Sequence, residues 1–174
     1  MKNILSILIV IVVLGGLVYL ARPTGEKQEV QGMEDMQMNE EQAGSAQGSL
    51  IALDHDNFDF GEVSMANGKV NHMFKIKNTG NEAITIEKMY TSCMCTTAEL
   101  MVRGSTWGPY GMPGHMSIPK IGEVLNPGEE AEIETIFDPA AHGPAGIGRI
   151  ERQVTVENSS GASLELKFVA VVTP

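Results

Sequence analysis

From residue 50 onward, apolar and polar positions alternate with the two-residue period of β-strands. Seven runs carry the pattern: 50–54 (LIALD), 58–63 (FDFGEV), 69–78 (KVNHMFKIKN), 82–90 (EAITIEKMY), 130–138 (EAEIETIFD), 149–158 (RIERQVTVEN) and 162–172 (ASLELKFVAVV). In the third run, His72, Phe74 and Ile76 share one face, and Met73, Lys75 and Lys77 share the other. In the fifth, Ile133 is followed by the polar pair Glu134 and Thr135, which predicts a kink. Turn-forming residues separate the runs: ANG at 66–68, NTGN at 78–81, NPGE at 126–129 and NSSG at 158–161. No helical stripe of useful length interrupts them. Residues 50–174 are therefore expected to be all-β, an immunoglobulin-like antiparallel β-sandwich of about seven strands.

Two segments of different character precede this domain. Residues 4–21 (ILSILIVIVVLGGLVYLA) contain no charge, and Ser6 is the one clearly polar side chain. As a helix they would reach about 27 Å, close to the ~30 Å hydrocarbon thickness of a bilayer. Residues 1–21 therefore read as a single-pass transmembrane anchor, with a cleaved signal peptide as the alternative; Tyr19, two before Ala21, breaks the usual cleavage pattern. Lys2 precedes the span, while the charge of Arg22 is diluted by Glu26, Glu29, Glu34 and Asp35. This asymmetry places the C-terminal domain outside the cytoplasm. Residues 22–49 form an acidic linker without periodicity, unable to bury enough surface to offset its ordering entropy. Within it, Met33, Met36 and Met38 cluster. Thioethers suit Cu(I), but composition favours a plain, oxidation-prone tether.

Composition narrows the function classes. The 174 residues carry 12 Lys and Arg against 22 Asp and Glu, a net charge of −10, and lack a basic run. That excludes ordinary nucleic-acid binding, which needs clustered positive charge. Aromatic residues at 5% argue against a stacking platform for bases. Two cysteines exclude a dense disulfide framework. No G-x-S-x-G, H-E-x-x-H or phosphate-loop pattern occurs, so neither an ordinary enzyme nor a small-molecule substrate is indicated. Asp54, Asp56 and Asp59 lack the glycine and terminal glutamate of a calcium loop.

The order FDFGEV, FKIKNTG, ITIEKMYTSCMCTT and LNPGEEAEIETIFD resembles the bacterial domain-of-unknown-function family 1573, over roughly residues 55–172. The resemblance implies a sandwich like those of major-sperm-protein and Hydin-type domains, on an exported or envelope-anchored protein. It implies no reaction. The chain departs from the family pattern twice. Met94 stands where the family's SCGCT motif has glycine, and 101–124 reads as an inserted loop.

Three segments carry candidate chemistry. In an extended Cys93-Met94-Cys95 the two sulfurs would share a face. They would then offer two thiolates to a metal, close a small and comparatively oxidising disulfide, or stay as half-buried structural thiols. The second segment is GPYGMPGHMSIP (108–119), which sets Met112, His115 and Met116 in a Gly/Pro frame that Trp107 and Tyr110 would pin to the sandwich. The third, DPAAHGPAGIGRI (138–150), holds His142 between two prolines. If these loops share an end of the sandwich, then Cys93, Cys95, His115 and His142 converge with thioethers from Met94, Met112 or Met116. That soft donor set selects Cu(I), with zinc as competitor. His72 reads instead as a packed core or interface residue, and His55 as a solvated one. The expectation is a membrane-anchored, extracytoplasmic, non-enzymatic domain with a soft-metal site. The alternatives are an assembly module that engages another envelope protein through its edge strands, and a thiol–disulfide participant.

Overall fold

The computed structural model describes residues 49–174. The expected anchor, and the linker up to residue 48, lie outside the described residues. Among the described residues no helix is long and apolar enough to cross a membrane.

Ten strands follow in chain order: β1 (Leu50–Ala52), β2 (Asn57–Ser64), β3 (Val70–Asn78), β4 (Ile84–Thr91), β5 (Thr96–Val102), β6 (Ser105–Tyr110), β7 (Glu123–Leu125), β8 (Glu130–Phe137), β9 (Gly148–Asn158) and β10 (Leu164–Thr173). They form two five-stranded sheets, ordered β1-β3-β8-β5-β6 and β2-β10-β9-β4-β7. Four strands of the first sheet and three of the second reproduce the ABED and GFC pairing of an immunoglobulin-like sandwich. The first strand switches sheets: β1 pairs with β3, and after the crossover at 53–56, β2 runs parallel to β10. That parallel pair departs from the all-antiparallel expectation.

Alternation decides which side chains fill the space between the sheets. Phe74 and Ile76 of β3, Leu100 of β5, Ile133 of β8, and Val154 and Val156 of β9 are fully buried, each one residue out of phase with solvated neighbours. A smaller apolar cluster closes one end of the sandwich, built from Val63, Cys93, Cys95, Phe137, Phe168, Ala170 and Val172.

All seven expected strands are present, and three more were not anticipated. Much of the supposed insertion 101–124 is strand. Arg103 and Gly104, both at positive φ, turn β5 tightly into β6, and β7 pairs with β4 at the far edge of the other sheet. Residues 111–122 carry the chain between the two sheets along β4: Thr91 N–H donates to Gly111 O (3.1 Å), and Gly122 N–H to Ile86 O (3.0 Å). The kink expected after Ile133 is absent. β8 pairs with β3 in unbroken register, and Thr135 takes the inward position with its hydroxyl unpartnered.

Candidate functional site: a cystine between His142 and Arg152

The chain crosses from β4 in one sheet to β5 in the other through residues 92–95, and the polar residues around the cysteines fasten that crossing. Ser92 exchanges two 2.9 Å hydrogen bonds with the Gln153 backbone of β9, donating its N–H and accepting at Oγ. The buried Thr91 hydroxyl reaches the carbonyl oxygens of Cys93 (3.0 Å) and Thr96 (2.9 Å). Thr96 N–H donates to Cys93 O (3.1 Å), which closes a turn over 93–96. Asp138 N–H, just past β8, donates to Cys95 O (2.9 Å). The two sulfurs therefore meet because the chain turns, not because it is extended as expected. Arg103 is the non-glycine residue at positive φ among the described residues, so the turn tolerates Met94 in place of the family's glycine.

Cys93 and Cys95 are joined in a disulfide. Both residues are buried, at 8% and 3% exposure, whereas Met94 between them is 49% exposed. Each sulfur has a different nitrogen neighbour. Cys93 Sγ lies 3.1 Å from His142 Nε2, and Arg152 Nε donates to Cys95 Sγ at 3.3 Å. Cys95 N–H also points at Cys93 Sγ (3.3 Å).

His142 owes its place to the DPAAHGP sequence. Asp138 Oδ1 accepts from Ala140 N–H (2.9 Å), and Gly143 N–H donates to Ala140 O (2.9 Å). A short 3-10 turn, Gly143–Gly146, follows His142. Gly146 packs so closely beneath the histidine that an added Cβ would stand 3.1 Å from His142 Cβ. Arg152 sits on β9 in phase with the inward-facing Val154 and Val156. At this end of the sandwich that position opens onto the cystine rather than onto the main core.

The structure thus brings together Cys93, Cys95 and His142, whose ligand atoms all lie within 4.8 Å of one another. His115 is outside this cluster, exposed on the 111–122 segment, where its N–H donates to Met112 O (3.1 Å). Met112 is half-buried and Met116 exposed on the same segment. Sequence reasoning missed Arg152. The alternation of RIERQVTVEN was the available signal, since it puts an arginine in an inward slot. His72 is packed among aromatic rings as expected, but His55 is not simply solvated: its Nε2 lies 3.1 Å from His72 Nε2.

Residues 51–107 match the model of a family described as a protein of unknown function, DUF1573. The match supports the resemblance read from the motifs and ends at Trp107, before the NPGE turn. No curated protein matches the chain in sequence. Among solved structures, the chain is similar to a protein of unknown function from Porphyromonas gingivalis W83, at 15% identity and a TM-score of 0.53. That alignment covers 73% of this chain and 48% of the other, so the chain spans about half the length of that relative. It is also similar to a family 123 glycoside hydrolase from Clostridium perfringens, at 5% identity and a TM-score of 0.50, over 74% of this chain and 27% of that one. These likenesses are of fold.

Proposed function

We propose that this domain is a non-enzymatic interaction module, held outside the cytoplasm by residues 4–21, whose working end is a dithiol–disulfide couple at Cys93 and Cys95. The β-sandwich and the partial match to a family of unknown function fit an interaction domain. The observation that carries the redox reading is the asymmetric setting of the cystine, with an imidazole at one sulfur and a guanidinium at the other. Disulfides persist in oxidising compartments, which agrees with an extracytoplasmic placement.

The asymmetry assigns the two sulfurs different parts. Thiol–disulfide exchange is fastest when the departing sulfur is stabilised as a thiolate. A partner's thiolate attacks Sγ of Cys93, the less buried of the two residues. The new partner–Cys93 bond forms as the Cys93–Cys95 bond breaks. The electron pair departs on Cys95 Sγ, facing the Arg152 N–H. A second thiolate of the partner then attacks its own sulfur in the mixed disulfide and releases Cys93 beside His142. The couple has gained two electrons, and the partner dithiol has become a disulfide. Exposed Met94 and Ile147, at 49% and 48%, give a protein thiol an apolar surface to approach.

The test is trapping on the folded full chain in mild detergent. Cys95→Ser, which leaves Cys93, should form a mixed disulfide with oxidised glutathione faster than Cys93→Ser, and Arg152→Ala should slow reduction of the native disulfide by a small dithiol. Resistance of the native disulfide to dithiols until the domain unfolds would overturn the reading.

A second reading rests on the three ligand atoms within 4.8 Å. Once reduced, Cys93, Cys95 and His142 offer two thiolates and an imidazole, a soft set suited to Cu(I), with zinc as competitor. Anaerobic Cu(I) titration of the reduced chain against a chelator, with the Cys93→Ser/Cys95→Ser variant beside it, separates this from plain redox exchange. Equal binding by the two proteins removes it.

A further inference from the structure

We propose that His55 and His72 form a two-imidazole clip for a divalent first-row transition ion, separate from the cystine end. The two Nε2 atoms lie 3.1 Å apart. With metal–nitrogen bonds of about 2.0–2.1 Å, that spacing subtends a nitrogen–metal–nitrogen angle of about 98°, between the square-planar and tetrahedral values. A metal ion replaces one shared proton there: with both Nε2 lone pairs on the ion, each neutral ring keeps its proton on Nδ1.

The arrangement is held before any ion arrives. His72 projects from β3 with its ring stacked on Phe58 of β2, centroids 3.6 Å apart and planes 9° from parallel. Phe74 and Phe60 meet the same ring edge-on, at 4.6 and 6.4 Å. The His55 ring packs 5.9 Å from Phe74. Its backbone belongs to the 53–56 crossover, which is pinned at both ends. Leu53 N–H donates to Lys75 O of β3 (2.9 Å), and Lys167 N–H of β10 donates to Asp56 O (2.7 Å). Little rotational freedom remains to be lost on binding, which is what a weakly denticulate site needs. Asp54 and Asp56 flank His55 in sequence. Imidazole is the common ligand class of Zn(II), Ni(II) and Cu(II), and Cu(II) binds most tightly in that series.

Such an ion would tie the crossover of the first strand to β3, so its binding has a mechanical readout besides affinity. The probe is Cu(II) alone, added to the oxidised full chain so that the Cys93–Cys95 disulfide offers no thiolate. One equivalent should bind with nitrogen hyperfine structure from two imidazoles in the electron paramagnetic resonance spectrum. It should also raise the unfolding midpoint. His55→Ala, a change at an exposed residue on the rim of the aromatic cluster, should weaken binding at least about tenfold and abolish the midpoint shift. His115→Ala and His142→Ala should change neither. Spectra with a single imidazole, or loss of binding in His115→Ala or His142→Ala instead, would overturn the proposal. His72→Ala is the complementary variant, but it also removes a packed ring. The His55 variant therefore decides the matter.

Discussion

At the scale of single residues, the motifs read from the sequence turn out to be hydrogen-bonding devices. Asn78, at the end of β3, is fully buried and uses its whole side chain: Nδ2 donates to Glu82 O (2.7 Å) and Leu125 O (3.0 Å), and Oδ1 accepts from Gly80 N–H (3.0 Å). Its backbone holds the NPGE turn, with Gly128 N–H donating to Asn78 O (2.8 Å) and Asn78 N–H to Glu129 O (3.0 Å). Two motifs 47 residues apart at Asn78 and Leu125 are thus one structural unit. His72 shows the opposite behaviour, a polar residue that burial works against. Desolvation holds its pKa below the ordinary 6.5, and the neighbouring His55 lowers it further. The unfolded chain therefore takes up a proton that the folded one resists. Stability from this site is present above pH 6.5 and drains as pH falls below it. For the metal-free protein, the urea midpoint should fall more steeply between pH 7 and pH 5 than in His72→Gln. Equal slopes would show that His72 plays no part in acid sensitivity.

At the scale of elements, strands with clean alternation were legible and irregular ones were not. β3, β9 and β10 show polar and apolar positions largely in turn, and their bounds in the structure fall within two residues of the pattern. β5 reads TTAELMV, where Thr96 fills an inward slot, and β6 reads STWGPY, where glycine and proline signal a loop. The polar turn residues of the cystine were legible as a motif. The inward slot of Arg152 was open to the alternation of β9, but its place beside Cys95 depends on packing between the two sheets, which no spacing rule supplies. β6 survives as a strand because its partner makes room for it. The register shifts between Ala98 and Leu100, and Gly108 sits opposite at φ 129°. A Cβ on Gly108 would stand 3.0 Å from Ala98 O and 3.3 Å from Glu99 Cα, both backbone atoms that cannot swing aside. Gly108→Ala should accordingly cost about 1–3 kcal/mol, read as a lowered denaturant midpoint at constant slope. A midpoint within error of wild type would mean that the β5–β6 pair relaxes freely.

At the scale of the whole molecule, the redox proposal requires that the sandwich outlive its disulfide. The bond closes a loop with a sequence separation of only 2, so it restricts the unfolded chain very little. The chain-entropy relation gives about 1.6 kcal/mol for so short a loop, against about 4.7 for one of a hundred residues. Packing points the same way. The larger apolar cluster, from Leu50 through Leu166, includes neither cysteine, and it spans both sheets. The cysteines belong to the smaller cluster at the end, where Phe137 and Phe168 pack directly on each other, ring centroids 5.4 Å apart. Reduction should therefore lower the unfolding free energy by no more than about 2 kcal/mol, with the strand signal of circular dichroism unchanged. Hydrogen exchange should quicken in residues 91–97 and 138–147 and stay slow in β3, β8 and β9. A domain that unfolds on reduction would instead mark the cystine as a structural brace. It could not then cycle between dithiol and disulfide, and the sandwich would have to be understood through its surfaces and partners.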